Sequence, residues 1–417
     1  MGISRPNMSR GNHSVRVLWV SDSPLVGSGF GRVTREITTR LAKVPGMEVA
    51  CLGWSYDGWP YDRIRFPFAI YPSRGSSDGP ENFERVINEF KPHVVITLGE
   101  IWMLDWLHTH PVRPQFKWIG YFALDGGPFY PPWEPMLKDV DELVTMSEFS
   151  REVFQQGLPS RKIHVIYHGV DATAFRPLPE RDRLKSHERF RGKFVIGCVA
   201  RNQPRKNIPA LVQAFALLCE KIDNLHLFLH MNPCDVGYDI VTLLRRYRLE
   251  GHADVSGPDF SLHQALEDEQ LNRLYNIFDV TVLPSVAEGF GLPIIESFAA
   301  GVPVVATDYS ACTELVRGRG ELVRILTTVT AGTNLIEQAV LDVDDLATCI
   351  EKLYRNPKLA KQYSDAGLAF ARTLSWDSLV PRWLQLISST TGVELNLISD
   401  SRTDSSRPTG GQSGNYV

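Results

Sequence analysis

The sequence has no apolar run that approaches the ~18 residues a membrane-spanning helix needs. Its opening stretch, MGISRPNMSRGNHS, lacks the apolar core of a secretory signal. Cysteine is sparse: Cys51, Cys198, Cys219, Cys234, Cys312 and Cys349 include no C-x-x-C pair and no zinc-ligand spacing. That argues against a disulfide scaffold and against a thiolate metal centre. Several of these residues sit in apolar runs and read as reduced core thiols, so a reducing, cytoplasmic location is expected. A net charge of -4 supplies no whole-protein pull towards nucleic acid or anionic membrane. The D-x-D triplets at 139–141 and 342–344 fall in charged helix-start contexts rather than at strand ends, and no His/Cys cluster has ligand spacing. No metal requirement is expected.

Strand-like and helix-like segments alternate along the chain, the pattern of an α/β protein with parallel sheets. At 417 residues there is enough chain for two domains with full cores. Val15–Val20 reads as a strand, followed by a glycine loop to Gly31 and a helix from Arg32 to about Lys43. Val94–Leu98, Trp118–Phe122, Leu143–Met146 and Ile163–Ile166 are the later strands of this half. The charged, proline-bearing stretch 176–193 reads as a solvated linker. A strand at Phe194–Ala200 opens the second half, and the helix after it places Leu211, Val212, Phe215, Leu218, Cys219 and Ile222 on one face. The expected division is a domain over 1–175, a second over 194–372, and a terminal helix over 373–390. A polar tail over 391–417 is expected to be disordered.

The most informative segment is DVTVLPSVAEGFGLPIIESFAAGVPVV, from Asp279 to Val305. Val280, Val282 and Leu283 form a short apolar run stopped by Pro284, as in a strand buried on both faces. Gly289 and Gly291 let the main chain approach a ligand closely. Pro293 suits the start of a helix, and Gly301 its end. Glu288 then lies on the loop and Glu296 on the helix, near orphan amides and the positive end of the dipole. Two carboxylates and several free N–H groups at one sheet mouth suit a ligand rich in hydroxyls and phosphates. Arg201 and Lys206 in ARNQPRKN leave the carboxyl end of another strand, where open α/β sheets bind ligands. In the first half, Gly27-Ser28-Gly29-Phe30-Gly31 follows a strand, and a loop of this kind either cradles a phosphate or makes a tight turn. Arg32 stands where a dinucleotide fingerprint needs a small residue, which counts against a nicotinamide enzyme.

The segment from Phe194 to about Arg317 closely resembles glycosyltransferase family 4, and the upstream half resembles it more faintly. That resemblance implies the GT-B fold, two Rossmann-like domains with parallel sheets facing an interdomain cleft. It also implies a retaining, metal-independent sugar transferase with no cofactor, whose co-substrate is a nucleotide diphosphate sugar. The first domain would take the acceptor, the second the nucleotide. Glu288 would contact the donor sugar and Glu296 the ribose hydroxyls. Amides around Gly289, Phe290, Gly291 and Leu292 would face sugar and phosphates. Arg201 and Lys206 would hold the diphosphate, and the loop carrying Gly29, Phe30 and Gly31 would approach it from the first domain. Arg201, Lys206 and Glu288 are the expected catalytic set.

The acceptor stays open between a saccharide, a lipid and a nucleobase, since glucosyltransferases that modify phage DNA share the GT-B architecture. Many family members carry a histidine where IGYFALDGGP places Leu124. Asp125 and Gly126 are the acceptor candidates there, with a turn-forming role for Asp125 as the alternative. His168 matches a segment near the interdomain hinge and reads as a structural histidine. Trp54, Tyr56, Trp59 and Tyr61, with Phe129, Tyr130 and Trp133, fall on loops and either stack on a ligand or staple loops to the core. Arg32, Arg35, Arg40 and Lys43 read as a solvated helix face, with a lipid surface as the alternative. A non-catalytic module that binds nucleotide sugars is the rival from another class.

Overall fold

Strands that read as unbroken apolar runs are covered on both faces. The computed structural model describes residues 14–73, 80–257 and 266–395. In β1 (Val15–Asp22), Val17, Leu18, Trp19 and Val20 are all fully buried. It is joined by β2 (Met47–Trp54), β3 (Ala69–Pro72), β4 (Val94–Glu100), β5 (Lys117–Ala123), β6 (Glu142–Thr145) and β7 (Ile163–Val165) in a parallel sheet of order β3-β2-β1-β4-β5-β6-β7. A second parallel sheet contains β8 (Phe194–Val199), β9 (Leu225–His230), β10 (Ala253–Val255), β11 (Val280–Leu283), β12 (Val304–Thr307) and β13 (Gly320–Val323), in the order β10-β9-β8-β11-β12-β13. Helices cover both sheets, so the expected two-domain α/β architecture is what the chain adopts.

Several segments differ from expectation. Trp54 closes β2 instead of lying on a loop, while Tyr56 lies on the loop after it; both are buried in the first domain, as the stapling alternative has it. The stretch 176–193 is largely exposed but carries local structure. Arg181–Lys185 forms a short helix, Phe190 is buried, and Lys185 pairs with Asp279 at 2.5 Å. The carboxylate of Asp279, at the foot of β11, draws this charge onto the second domain. An antiparallel hairpin of β14 (Ile325–Ala331) and β15 (Ile336–Leu341), not foreseen, leaves the second domain and reaches the first. There the Glu337 N–H donates to the Gly127 carbonyl at 2.6 Å.

The last helix, Trp376–Thr391, lies against the first domain, with the Trp383 ring 5.6 Å from Trp19 and 5.1 Å from Tyr121. Leu395 beyond it is buried, so packed chain continues past residue 391. The remainder of the expected tail, and residues 1–13, lie outside the described residues. The domains are also held together by Glu314, which accepts from the Glu148 N–H at 3.0 Å and from the Tyr167 hydroxyl at 2.8 Å.

Candidate active site

Both sheets reverse their strand order beside their first strand, between β1 and β4 and between β8 and β11. Ligands in open parallel sheets bind at the carboxyl ends of strands next to such points. The two crevices face each other. A Cβ at Gly29, after β1, would lie 3.6 Å from the Leu292 side chain, and one at Gly289, after β11, would lie 3.4 Å from Ala123 at the end of β5.

Glu288 is the centre of this meeting and is almost fully buried. Lys206 Nζ pairs with its Oε1, Arg205 Nη1 lies 2.8 Å from Oε2, and Ser285 Oγ donates to Oε1 at 2.6 Å. Burial alone would raise this carboxyl, but Lys206 and Arg205 outweigh burial and bring it down to about 2. For Lys206 the balance runs the other way: burial lowers the ammonium more than Glu288 raises it. The two shifts pull in opposite directions on one pair. The anion is the group held firmly in its charged form, because two cations and a hydroxyl face a single carboxylate.

Arg205 links the domains. Its Nε is 3.4 Å from Asp125 Oδ2, and its Nη1 also donates to the Ala287 carbonyl at 2.8 Å. Burial raises the Asp125 carboxyl despite Arg205. Glu100, at the end of β4, is raised by burial and by neighbouring Asp125, while the Trp102 indole N–H, 2.5 Å from Glu100 Oε2, opposes this. Sequence reasoning missed Arg205, Glu100 and Trp102. The available signal was that Arg205 adjoins Lys206, and that Glu100 ends a strand beside the switch point.

Arg201, expected beside Lys206, stands apart. Its side chain is 47% exposed and bonds Asp235 at 2.7 Å, while Asp22 acts on it from the end of β1. Gly291 takes φ 102° as the residue before the helix Leu292–Ala299, a left-handed conformation that favours glycine. The Phe290 side chain turns inward, its ring 4.8 Å from His168 and 5.7 Å from Tyr167, so this position offers a ligand its main chain only. Gly126 is packed against the hairpin, where a Cβ would lie 2.4 Å from the Glu337 carbonyl. In the first glycine loop, Ser28 caps the helix Gly29–Leu41 by accepting from the Gly31 N–H at 2.8 Å. Gly31 is required because a Cβ would sit 2.5 Å from the Val26 carbonyl.

Glu296 lies apart from Glu288. Arg32 Nη1 pairs with its Oε1, and Tyr275 donates to its Oε2 at 2.8 Å. Arg32 also reaches Asp268 at 2.9 Å, and the small gap they line with Phe175 and Trp376 leaves no room for a water molecule. Burial raises the Glu296 carboxyl in spite of Arg32. The first helix is therefore not a solvated or lipid-facing surface. Arg32, Arg35 and Arg40 pair with Glu296, Asp268, Glu36 and Asp377, three of which lie on elements of the second domain or the last helix. His168 is buried, neither ring nitrogen has a hydrogen-bond partner among the described residues, and burial lowers it to about 3.

A cavity of about 870 Å³ lies at the opposite end of the first sheet, beside Arg16, Arg113 and Lys117. Arg113 and Lys117 are matched there by Asp139 and Asp141 at 2.6–3.0 Å, which leaves little charge for an anion. These pairs also account for the first D-x-D triplet; Asp342 of the second caps the helix Val343–Arg355. Among the described residues no group of three or more His, Cys, Asp or Glu converges as a metal site, and no helix is long and apolar enough to cross a membrane. All six cysteines are free thiols.

Residues 180–369 match the family model described as glycosyl transferases group 1. A mannosyltransferase of Mycolicibacterium hassiacum, MMP alpha-(1->4)-mannosyltransferase, is 26% identical over 63% of this chain and 56% of its own length. The putative glycosyltransferase EpsD of Bacillus subtilis is 29% identical over 64% of this chain and 60% of its own. The matches thus span little more than half of these curated relatives. Among solved structures, the sucrose-phosphate synthase of Thermosynechococcus elongatus superposes with a TM-score of 0.70 at 18% identity, over 90% of this chain and 99% of that one. Anabaena Alr3699/HepE, solved in complex with UDP and glucose, gives 0.68 at 16% identity, over 90% and 100%. Both likenesses speak for the GT-B fold.

Proposed function

We propose that the protein transfers a sugar from a nucleotide diphosphate donor to a hydroxyl acceptor, with retention at the anomeric carbon and without a metal or cofactor; the match of residues 180–369 to the group 1 glycosyl transferases supports this reading. The observation that carries this reading is the buried Lys206–Glu288–Arg205 cluster beside the start of the helix Leu292–Ala299, where both crevices meet. Breaking the bond from the anomeric carbon to the β-phosphate oxygen leaves negative charge on that oxygen. Fixed cations and free helix amides stabilise such charge most in a dry site. Lys206 and the main-chain amides of residues 289–292 supply them here, with Arg201 at the rim able to turn from Asp235 to the diphosphate.

Glu288 serves as a permanent anion that positions Lys206 and Arg205 and accepts from donor hydroxyls. With both oxygens already bonded to cations it is a poor covalent nucleophile, which favours attack on the leaving-group face. In that step the acceptor oxygen bonds the anomeric carbon, and its proton passes to the departing β-phosphate oxygen. Glu296 is the candidate for the ribose hydroxyls, which requires Arg32 to release it.

The test is a panel of UDP-, GDP- and ADP-sugars, scored for thermal shift and slow hydrolysis with and without chelator. Lys206→Met should lower turnover by roughly 10²–10³ while a donor still shifts the melt. Turnover near wild type in that variant would remove the central claim. Loss of activity with chelator would remove the metal-free one, and a shift without any turnover would leave a nucleotide-sugar-binding module.

A further inference from the structure

Trp102 is the most solvent-exposed of the nine tryptophans, at 53%, while Trp19, Trp54, Trp118, Trp133, Trp376 and Trp383 are buried. An exposed indole is ordinary by itself, and what distinguishes Trp102 is that its ring is held beside carboxylates at the mouth of the cleft, where an apolar face with a polar rim suits a ligand. Trp102 is ordered by its own bond, the indole N–H donating to Glu100 Oε2 at 2.5 Å, which fixes the ring instead of letting it fold onto the surface. Glu100 and Asp125 leave neighbouring strand ends, since Glu100 pairs in register with Ala123. Both carboxylates sense Arg205, which touches Glu288. The exposed indole is thus bonded to a carboxylate that lies within electrostatic reach of Asp125 and Arg205, and Arg205 in turn pairs with Asp125 and Glu288.

We propose that Trp102, Glu100 and Asp125 form the acceptor subsite and that the acceptor is a carbohydrate, whose ring stacks on the Trp102 indole while its hydroxyls donate to the two carboxylates. This rests on the donor reading of the cleft given above. The C–H face of a pyranose carries partial positive charge and suits the electron-rich face of an indole. Its rim of hydroxyls supplies the donors that acceptor-only carboxylates require, and a charged acceptor makes such bonds strong. A nucleic acid would bring phosphates against Glu100 and Asp125, with the nearby cations already engaged by carboxylates. The basic residues of the first helix, which a lipid headgroup would need, are held in ion pairs.

The test uses the full chain, free and saturated with whichever of UDP, GDP or ADP shifts its melt. Methyl glycosides, short oligosaccharides and a single-stranded oligodeoxynucleotide are titrated by calorimetry and by saturation-transfer NMR. At least one glycoside should bind wild type and Trp102→Phe alike, and weaken about tenfold or more in Trp102→Ala and in Glu100→Gln. Because Trp102 is exposed, Trp102→Ala should melt as wild type does, and Asp125→Asn provides a second variant if Glu100→Gln does not fold. Three results would each overturn the proposal: no glycoside binding to wild type, binding indifferent to Trp102→Ala, or oligodeoxynucleotide binding that Trp102→Ala abolishes. If no nucleotide shifts the melt, the donor reading fails, and the glycoside titration of the free protein still decides the role of Trp102.

Discussion

Replacing Glu288 with Gln keeps the side-chain shape and removes one buried charge, leaving Lys206 and Arg205 facing a neutral amide. The drop of this carboxyl from its ordinary 4.5 to about 2 corresponds to about 3 kcal/mol of preference for the folded state. Breaking a buried pair by removing one partner is known to cost about 3–5 kcal/mol, and the two figures agree. The sign follows from the direction of the shift. A depressed carboxyl contributes its full stability above about pH 4.5 and loses it as the pH falls towards 2. The deficit of Glu288→Gln, measured by urea unfolding, should therefore be about 3 kcal/mol at pH 7 and less than about half of that at pH 3.

The partner variant sharpens this. Lys206 is buried and its ammonium is lowered by that burial, so Glu288→Gln combined with Lys206→Met removes the stranded cation as well. The double variant should be more stable than Glu288→Gln alone, because two neutral groups of similar shape replace an unpaired buried charge. A deficit under about 1 kcal/mol for Glu288→Gln at pH 7, or one that does not shrink on acidification, would refute the account of Glu288 as the fixed anion of the site.

Two more outcomes test the groups around it. Arg32→Ala removes the ion pair that closes Glu296, so UDP or GDP should bind about fivefold more tightly by calorimetry; weaker binding would mean that Arg32 itself holds the nucleotide. His168 is lowered by burial to about 3, so folding disfavours its charged form, and stability present above about pH 6.5 is lost as the pH falls towards 3. Between pH 6.5 and 5 wild type should lose about 2 kcal/mol from this residue, and His168→Phe, set among Tyr121, Phe290 and Trp376, should lose none of it. Equal acid sensitivity in the two proteins would show that His168 is not the group responsible.

What the sequence disclosed was whatever depends on local pattern. Buried parallel strands are near-continuous apolar runs, so β1, β4, β5 and β8 were legible, as was the glycine and proline punctuation around the helix Leu292–Ala299. The hairpin was not: Ile325–Ala331 is rich in threonine with four of its seven residues exposed, and its partner strand is held by Val286 of one domain and Gly127 of the other. Site residues divide the same way. Glu288 and Lys206 were legible because each follows a strand at the switch point of its sheet. Arg205 was hidden by its neighbour. A short 3₁₀ turn over Pro204–Lys206, closed by Asn207 at φ 50°, aims consecutive cations at one carboxylate, and no helix or strand period would place both inward. Arg32 shows the deeper limit. In the chain it is a reason to reject a dinucleotide site; in space it closes on a glutamate 264 residues away. A pairing at that separation leaves no periodic trace, so a residue noted for what it excludes turns out to pair with the glutamate proposed for the nucleotide.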